Sequence, residues 1–156
     1  MATIPAMPDT GERAPAFHLP NQHGIKVRLS SLKGRKVLVY FYPKADTPGC
    51  TAQACGLRDI ADDIDDTVVV GISPDSPERL ARFDEKHNLG FTLLSDADHA
   101  VAEKYGVWVE KNMYGKKSMG VQRSAFLIDE TGKVTEAWPK ISPKDTPTKL
   151  LAALGA

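Results

Sequence analysis

Residues 36–55 read KVLVYFYPKADTPGCTAQAC, and the architecture of the chain can be worked out from this stretch. Residues 36–42 are a continuous β-branched and aromatic run, which is typical of a central strand buried on both faces. Residues 48–64 follow with apolar positions in helical spacing, and Thr47 and Pro48 suit the N-cap and the first helical position. The stretch therefore predicts a buried strand, a loop at its carboxyl end, and a helix.

The rest of the chain alternates predicted strands and helices. Short strands are predicted at 16–19, 27–29, 67–73 and 91–94, a hairpin at 123–129 and 133–138, and helices at 76–88, 98–105 and 146–154. Alternation requires crossover connections and a parallel sheet, to which the hairpin adds antiparallel strands. We expect an α/β fold in three layers, a mixed central sheet flanked by helices. Periodicity does not choose between a thioredoxin-like and a flavodoxin-like strand order.

Length and composition predict one domain over residues 1–156, with room for a hydrophobic core. Lys plus Arg equals Asp plus Glu at 20 each, and no basic run occurs, so a nucleic-acid partner is not expected. No segment approaches the roughly 18 apolar residues that span a bilayer. Residues 1–9 carry no secretory signal pattern. The expected location is the cytoplasm.

The chain has two cysteines, Cys50 and Cys55. Cytosolic thiols are kept reduced, so a structural disulfide is not expected, and metal binding, catalysis or chance remain as explanations. A metal site needs about four ligands, whereas the histidines are scattered and no C-x-x-C pair exists. We therefore expect no metal.

The context of Cys50 favours a nucleophile over a small core residue. If Pro48 is the first helical residue, Cys50 is the third, and its sulfur lies near free N–H groups and the positive end of the helix dipole. That environment favours the thiolate, which is the reactive form. The Thr47 hydroxyl is placed to bond the sulfur or an oxygen beside it. Gly49 leaves space for a small substrate, and Pro43 shields the thiolate from water.

Cys55 and Arg123 are the other candidates. On an ideal helix the Cα atoms of Cys50 and Cys55 lie roughly 8 to 9 Å apart, whereas bridged cysteines are within about 7 Å. If the two sulfurs pair, the first turns must unwind, aided by Gly49 and Gly56. Arg123 begins a predicted strand, from which its cation could reach Cys50. Spacing alone favours an ordinary surface arginine.

The pattern Pro43-x-x-x-Thr47-x-x-Cys50 matches the active-site signature of the peroxiredoxins. Residues 41–59 (FYPKADTPGCTAQACGLRD) resemble the Q-type subgroup, also called bacterioferritin comigratory proteins. Similar segments lie at 11–19 (GERAPAFHL), 92–98 (TLLSDAD) and 113–129 (MYGKKSMGVQRSAFLID). One segment departs from the family pattern. Between Trp138 and the last helix the family usually has a longer charged stretch, whereas residues 139–147 form a short, proline-rich segment. We expect this departure not to touch the catalytic motif.

The resemblance implies a thioredoxin-like fold and reduction of hydrogen peroxide or organic hydroperoxides, without a metal or organic cofactor. It implies that Cys50 is oxidised to a sulfenic acid and that Cys55 condenses with it to an intramolecular disulfide. Thioredoxin or a similar dithiol protein then reduces this disulfide. Thr47 is implied to bond the substrate, Pro43 to shield the thiolate, and Arg123 to hold both sulfur and peroxide.

Three classes of function follow. The leading hypothesis is an atypical two-cysteine peroxidase that acts as a monomer. The second is a non-peroxidatic disulfide carrier or redox sensor that uses the same cysteine pair. The third is a binding protein, with a reduced-thiol metal site or a chaperone-like surface.

Overall fold

The computed structural model describes residues 6–155, with the backbone alone at residue 113. Its strands are β1 (His18–Pro20), β2 (Lys26–Arg28), β3 (Val37–Phe41), β4 (Val68–Ser73), β5 (Thr92–Ser95), β6 (Trp108–Met113), β7 (Lys116–Val121), β8 (Ser124–Ile128) and β9 (Val134–Trp138). Its helices are α1 (Pro48–Asp59), α2 (Pro77–His87), α3 (Ala100–Lys104) and α4 (Asp145–Leu154). Residues 1–5, most of the segment inspected for a secretory signal, lie outside this range. Within it, no helix has the length and apolar character needed to cross a membrane.

The central sheet has five strands in the order β5-β4-β3-β8-β9. Strands β3, β4 and β5 are parallel, whereas β8 runs antiparallel to β3 and β9 antiparallel to β8. The predicted mixed sheet is confirmed. The middle strand β3 is buried at every position, as its apolar run predicts.

Apolar side chains cover both faces of this sheet, which gives three layers. One face carries α1, α2 and α4, and Leu38 and Tyr40 of β3 point into that core. The other face carries α3, the segment before β1 and the base of the β6–β7 hairpin, and it receives Val37, Val39 and Phe41. The alternation along β3 is the two-residue period of a strand.

Helix α1 ends earlier than predicted. It stops at Asp59, and a short 3₁₀ turn over Ala61–Asp63 follows, where the apolar spacing had extended the helix to residue 64. Aspartates at 62, 63, 65 and 66 crowd this region, and negative charge is unfavourable at the carboxyl end of a helix. Ile64 is still buried, but from outside the helix.

The β6–β7 hairpin was not predicted at all. Its two strands pair from Trp108↔Val121 to Met113↔Lys116, around a turn in which Tyr114 and Gly115 have φ of 53° and 78°. Two consecutive positive φ values are the requirement of a type I′ turn. Most side chains of β7 are exposed, so the segment lacks the apolar alternation by which strands are recognised.

Candidate active site

Cys50 lies in the first turn of α1, directly beyond the carboxyl end of β3. Thr47 is the N-cap and Pro48 the first helical residue, as predicted, so Cys50 is third. The first bond of the helix runs from the Thr51 amide to the Thr47 carbonyl at 2.8 Å. The amides of Gly49 and Cys50 precede this bond, and N–H groups at such positions have no partner within the helix. Cys50, only 1% exposed, thus lies at the end of the helix that carries unpaired donors and the positive end of the dipole.

The Thr47 hydroxyl does not cap the helix. It donates a hydrogen bond to the carbonyl of Lys44 at 2.8 Å, and its side chain accepts nothing from the first turn. The hydroxyl proton is thus used in the bond to Lys44, while the hydroxyl oxygen can still accept a hydrogen bond. This arrangement leaves the first-turn amides of the helix uncapped by Thr47 and leaves the Thr47 oxygen available to accept a hydrogen bond.

Arg123 reaches Cys50, as the sequence suggested it could. Strand β8 pairs with β3 in the register Phe41↔Ser124, so Arg123 lies immediately past the end of β3, where the loop to Cys50 begins. Its Nη2 lies 3.3 Å from the Cys50 sulfur. A charged donor at this distance stabilises a thiolate. The surface-arginine alternative is wrong, because the side chain is only half-exposed and turned into the site.

Gln53 is a site residue that the sequence analysis missed. Its Oε1 accepts from Nη1 of Arg123 at 2.7 Å, and its Nε2 donates to Oγ1 of Thr146 at 2.9 Å. The available signal was its position, three residues after Cys50 and so on the same face of α1. A fully buried glutamine in a helix needs partners, and Arg123 is one of them.

The missing side chain of Gly49 leaves room for two neighbouring side chains. A Cβ on this residue would lie 3.2 Å from Nη2 of Arg123 and 3.4 Å from Cγ of Pro143. The space left by the missing side chain is therefore occupied by the guanidinium and a proline. Glycine here permits the close approach of Arg123 to the start of α1.

The proline-rich segment 139–147 touches the catalytic motif, so the expectation that it would not is wrong. The amide of Ile141 donates to the carbonyl of Arg123 at 3.1 Å, and Pro143 packs beside Gly49. Pro147 lies against Gly56, where a Cβ would come within 2.8 Å of its Cγ. The departure from the family pattern thus forms one wall of the site.

Cys55 is half-buried on the second turn of the intact α1, and both thiols are free. It packs at the edge of the core that contains Cys50. The helix between them is continuous, so the two sulfurs are held apart as ideal helix geometry requires.

The loop between β3 and α1 is held by groups from the next β–α unit. Oδ2 of Asp75 accepts from the Ala45 amide and from the Ser73 hydroxyl, each at 2.7 Å. Oδ1 of Asp75 lies 3.0 Å from Nε of Arg79, and Nη2 of Arg79 donates to the Ala45 carbonyl at 3.3 Å. Both backbone groups of Ala45 are thereby fixed. Pro43, half-buried, begins this loop.

Asp46 is the strained residue of the loop, with φ of 61°. Its carboxylate accepts from Nζ of Lys86 at 3.0 Å and lies 3.3 Å from Nε2 of His87, which ties the loop to the end of α2. The Lys86 hydrogen bond, followed by that of His87, lowers the pKa of Asp46. Aspartate tolerates the left-handed region better than most residues.

The core around Cys50 is aromatic and uncharged. Tyr40 and Tyr42 belong to the same buried cluster as Cys50, with ring centroids 5.4 Å apart. Burial is the main cause that raises the pKa of each phenol, so both remain neutral. An apolar floor strengthens the attraction between the guanidinium and a thiolate above it.

Lys111 of β6 is a second cation near this pair. Its methylenes lie over Gly120, with Cδ 3.2 Å from where a Cβ would stand. Burial, and next the charge of Arg123, lower the pKa of Lys111, while Cys50 opposes that shift. The unpredicted hairpin therefore contributes a charge to the electrostatics of the site.

Residues 10–137 match the family model described as AhpC/TSA. The chain belongs to the AhpC/TSA family. A putative peroxiredoxin bcp of Haemophilus influenzae is 55% identical over 137 residues, 86% of this chain and 88% of that protein. Peroxiredoxin Bcp of Escherichia coli is 56% identical over 126 residues, 80% and 81% of the two chains. The protein is thus a peroxiredoxin of the bacterioferritin comigratory type, a thiol peroxidase.

Solved structures of this type share its architecture. Peroxidoxin BcpB of Mycobacterium tuberculosis is 38% identical, with a TM-score of 0.84 over 95% of this chain and 97% of that one. The bacterioferritin comigratory protein of Xanthomonas campestris, studied for its alkyl peroxide reduction, is 33% identical, with a TM-score of 0.87 over 94% and 98%. The thioredoxin-like fold is confirmed, which settles the strand order that periodicity left open.

Proposed function

We propose that this peroxiredoxin reduces hydrogen peroxide and organic hydroperoxides with Cys50 as the attacking group. The Cys50 thiolate attacks the terminal oxygen of the peroxide, so that an S–O bond forms as the O–O bond breaks. Sulfur is oxidised to the sulfenic acid, and the other oxygen leaves as an alkoxide or hydroxide that takes up a proton. The 3.3 Å contact between Arg123 and the Cys50 sulfur is the observation that carries this proposal.

The groups around the sulfur suit a hydroperoxide. The free amides of Gly49 and Cys50 and the guanidinium of Arg123 are donors for the peroxide oxygens, where negative charge develops in the transition state. The Thr47 oxygen is the acceptor for the O–H proton of the substrate, since its own proton is held by Lys44. Pro43 at the loop start limits access of water to the thiolate.

Cys55 is proposed to resolve the sulfenic acid. Its thiolate attacks the Cys50 sulfur, the S–S bond forms as the S–O bond breaks, and the sulfenic oxygen leaves as hydroxide, which takes up a proton to give water. Because α1 holds the two residues too far apart for a bond, its first turns unwind before this step. Reaction with peroxide uses the folded helix, and resolution uses the unwound one.

A dithiol protein, thioredoxin or one like it, is the proposed reductant that returns both thiols. We further propose that residues 1–156 act as one domain, as a monomer, in the cytoplasm, where such reductants maintain thiols. No nucleic-acid or membrane partner is part of this function.

The test counts free thiols after reduced protein is mixed with one equivalent of hydrogen peroxide. The parent should lose two thiols rapidly, Cys50→Ser almost none, and Cys55→Ser one, with a sulfenic acid that accumulates. A Cys50→Ser variant that oxidises as fast as the parent would overturn the proposal. Slow loss of thiols to peroxide, together with rapid exchange with disulfide proteins, would instead support the disulfide-carrier alternative.

A further inference from the structure

We propose that Thr146 is a positioning residue for the attack on peroxide, because it fixes the orientation of Gln53 and, through it, the guanidinium at Cys50. The proposal rests on the proposed roles of Cys50 and Arg123 and extends them to α4. Thr146 lies in the first turn of α4, in the segment that departs from the family pattern.

The Thr146 hydroxyl has a single proton, and the group to which it donates that proton determines whether it donates to or accepts from Gln53. This hydroxyl donates to the carbonyl of Ser142 at 2.8 Å. Its one proton is used there, so towards Gln53 it can only accept. The amide nitrogen of Gln53, at 2.9 Å, is therefore the end that faces Thr146.

The oxygen end of the Gln53 amide is oriented by Arg123, independently of Thr146. Nη1 of Arg123 lies 2.7 Å from Oε1 of Gln53, and a guanidinium has donors only. If the amide turned over, its NH₂ group would face the guanidinium and its carbonyl oxygen would face a hydroxyl without a free proton. Both hydrogen bonds would be lost together. Thr146 thus selects the rotamer that offers an acceptor to Arg123.

Burial strongly disfavours the flipped orientation of the Gln53 amide. Gln53 is fully buried and Thr146 is 1% exposed, so bulk water cannot replace either partner. A hydrogen-bonding group left unpaired in such a place is strongly unfavourable. The guanidinium has one nitrogen on Gln53 and the other on the Cys50 sulfur, so loss of the first contact frees the second to move.

The link also depends on the state of α1. Gln53 lies between Cys50 and Cys55, in the part of α1 that must unwind before a disulfide forms. The contact with Thr146 therefore exists in the state that attacks peroxide and breaks for resolution. We expect Thr146 to affect the first step and not the reduction of the disulfide.

The test is the second-order rate constant for oxidation of Cys50 by hydrogen peroxide, measured in a Cys55→Ser background so that one thiol reacts. Thr146→Val keeps the shape and removes the hydroxyl, and it should lower the rate constant about tenfold, from misplacement of a charged donor. Thr146→Ser should restore it to within about twofold. Thr148→Val, on an exposed position of the same helix, is the matched control and should leave it unchanged.

Two further variants separate positioning from a general structural effect. In an Arg123→Ala background, Thr146→Val should cause no additional loss, because the group it positions is gone. Gln53→Met removes the amide that joins Thr146 to Arg123. In that background Thr146→Val should not lower the rate constant further. An equal loss with and without Arg123, or an unchanged rate constant in folded Thr146→Val, would overturn the proposal. If the parent itself reacts slowly with peroxide, the proposed function fails instead.

Discussion

At the scale of single residues, the site depends on how closely Arg123 approaches the start of α1. Its two terminal nitrogens contact the Cys50 sulfur and Gln53, and it fits there because Gly49 has no side chain. The reactivity of Cys50 could be predicted from the sequence because helix-start chemistry is local, whereas the role of Arg123 was implied only by the resemblance to the peroxiredoxins. Gln53 could not be predicted, because the partner that gives this glutamine a role is 70 residues away.

Gly49→Ala tests this close approach. The new Cβ would stand 3.2 Å from Nη2 of Arg123, so the guanidinium must shift by a few tenths of an ångström beside the sulfur. Helix propensity favours alanine, so we expect a folded protein whose Cys50 reacts with peroxide several-fold more slowly, because a charged donor is displaced from its position. Stopped-flow oxidation of the parent and variant measures this. In an Arg123→Ala background the substitution should have little further effect, and a full additional loss there would contradict the explanation.

At the scale of elements, the strand–loop–helix unit from β3 to α1 was predictable and the β6–β7 hairpin was not. Strand β3 has an unbroken apolar run, and Thr47 and Pro48 mark the start of α1. Most side chains of β7 are exposed, so residues 116–120 do not show the alternation of apolar and polar residues that indicates a strand. The end of α1 was also misplaced, because Ile60 and Ile64 keep a helical spacing although the helix ends before both of them, at Asp59.

Asp75 is expected to hold the active-site loop in place. It accepts hydrogen bonds from the Ala45 amide and Ser73, and its side chain is only 7% exposed. Asp75→Ala should lower the free energy of unfolding by about 1–3 kcal/mol, because it leaves buried donors unpaired. It should also slow oxidation of Cys50. Urea unfolding and peroxide kinetics measure the two effects, with exposed Asp66→Ala as the control; equal effects of both substitutions would be evidence against this role.

Oxidation should unwind α1 and leave α2 intact. In the Cys50–Cys55 disulfide form, amides within residues 51–57 should lose protection from hydrogen exchange, because a bond between these residues cannot form on the helix. Amides of α2 serve as the internal control. Hydrogen exchange of the reduced and oxidised proteins measures the difference, and unchanged protection of α1 in a verified disulfide form would refute the unwinding step.

At the scale of the whole molecule, pairing within the sheet brings distant segments to one edge. The register Phe41↔Ser124 places Arg123 at the mouth of the Cys50 loop, 73 residues away in sequence. Local patterns predict strands and helices one at a time, whereas register and strand order depend on side chains that meet only in the folded chain. The contact of the proline-rich segment with Gly49 could not be predicted for the same reason, because the two meet only in the folded chain.

The link between the active-site loop and α2 should weaken in acid. Hydrogen bonds from Lys86 and then His87 lower the pKa of Asp46 below its usual 3.8. Because the folded value is the lower one, this stabilisation is complete above the unfolded pKa and is lost as the pH falls through the folded value. The difference in free energy of unfolding between the parent and Asp46→Asn should thus shrink towards zero in acid. A difference independent of pH, or one that grows in acid, would argue against the ion pair.

The most direct test of the account is how fast the Cys50 thiol reacts with hydrogen peroxide when the guanidinium beside it is removed. Cys55→Ser leaves a single cysteine, so loss of the free thiol reports on Cys50 alone. We expect the Cys55→Ser protein to be oxidised rapidly, and the Cys55→Ser/Arg123→Ala protein to react about a hundredfold more slowly, because the charged donor at the sulfur is gone. Slow oxidation of the Cys55→Ser protein, or equal rate constants with and without Arg123, would contradict the account.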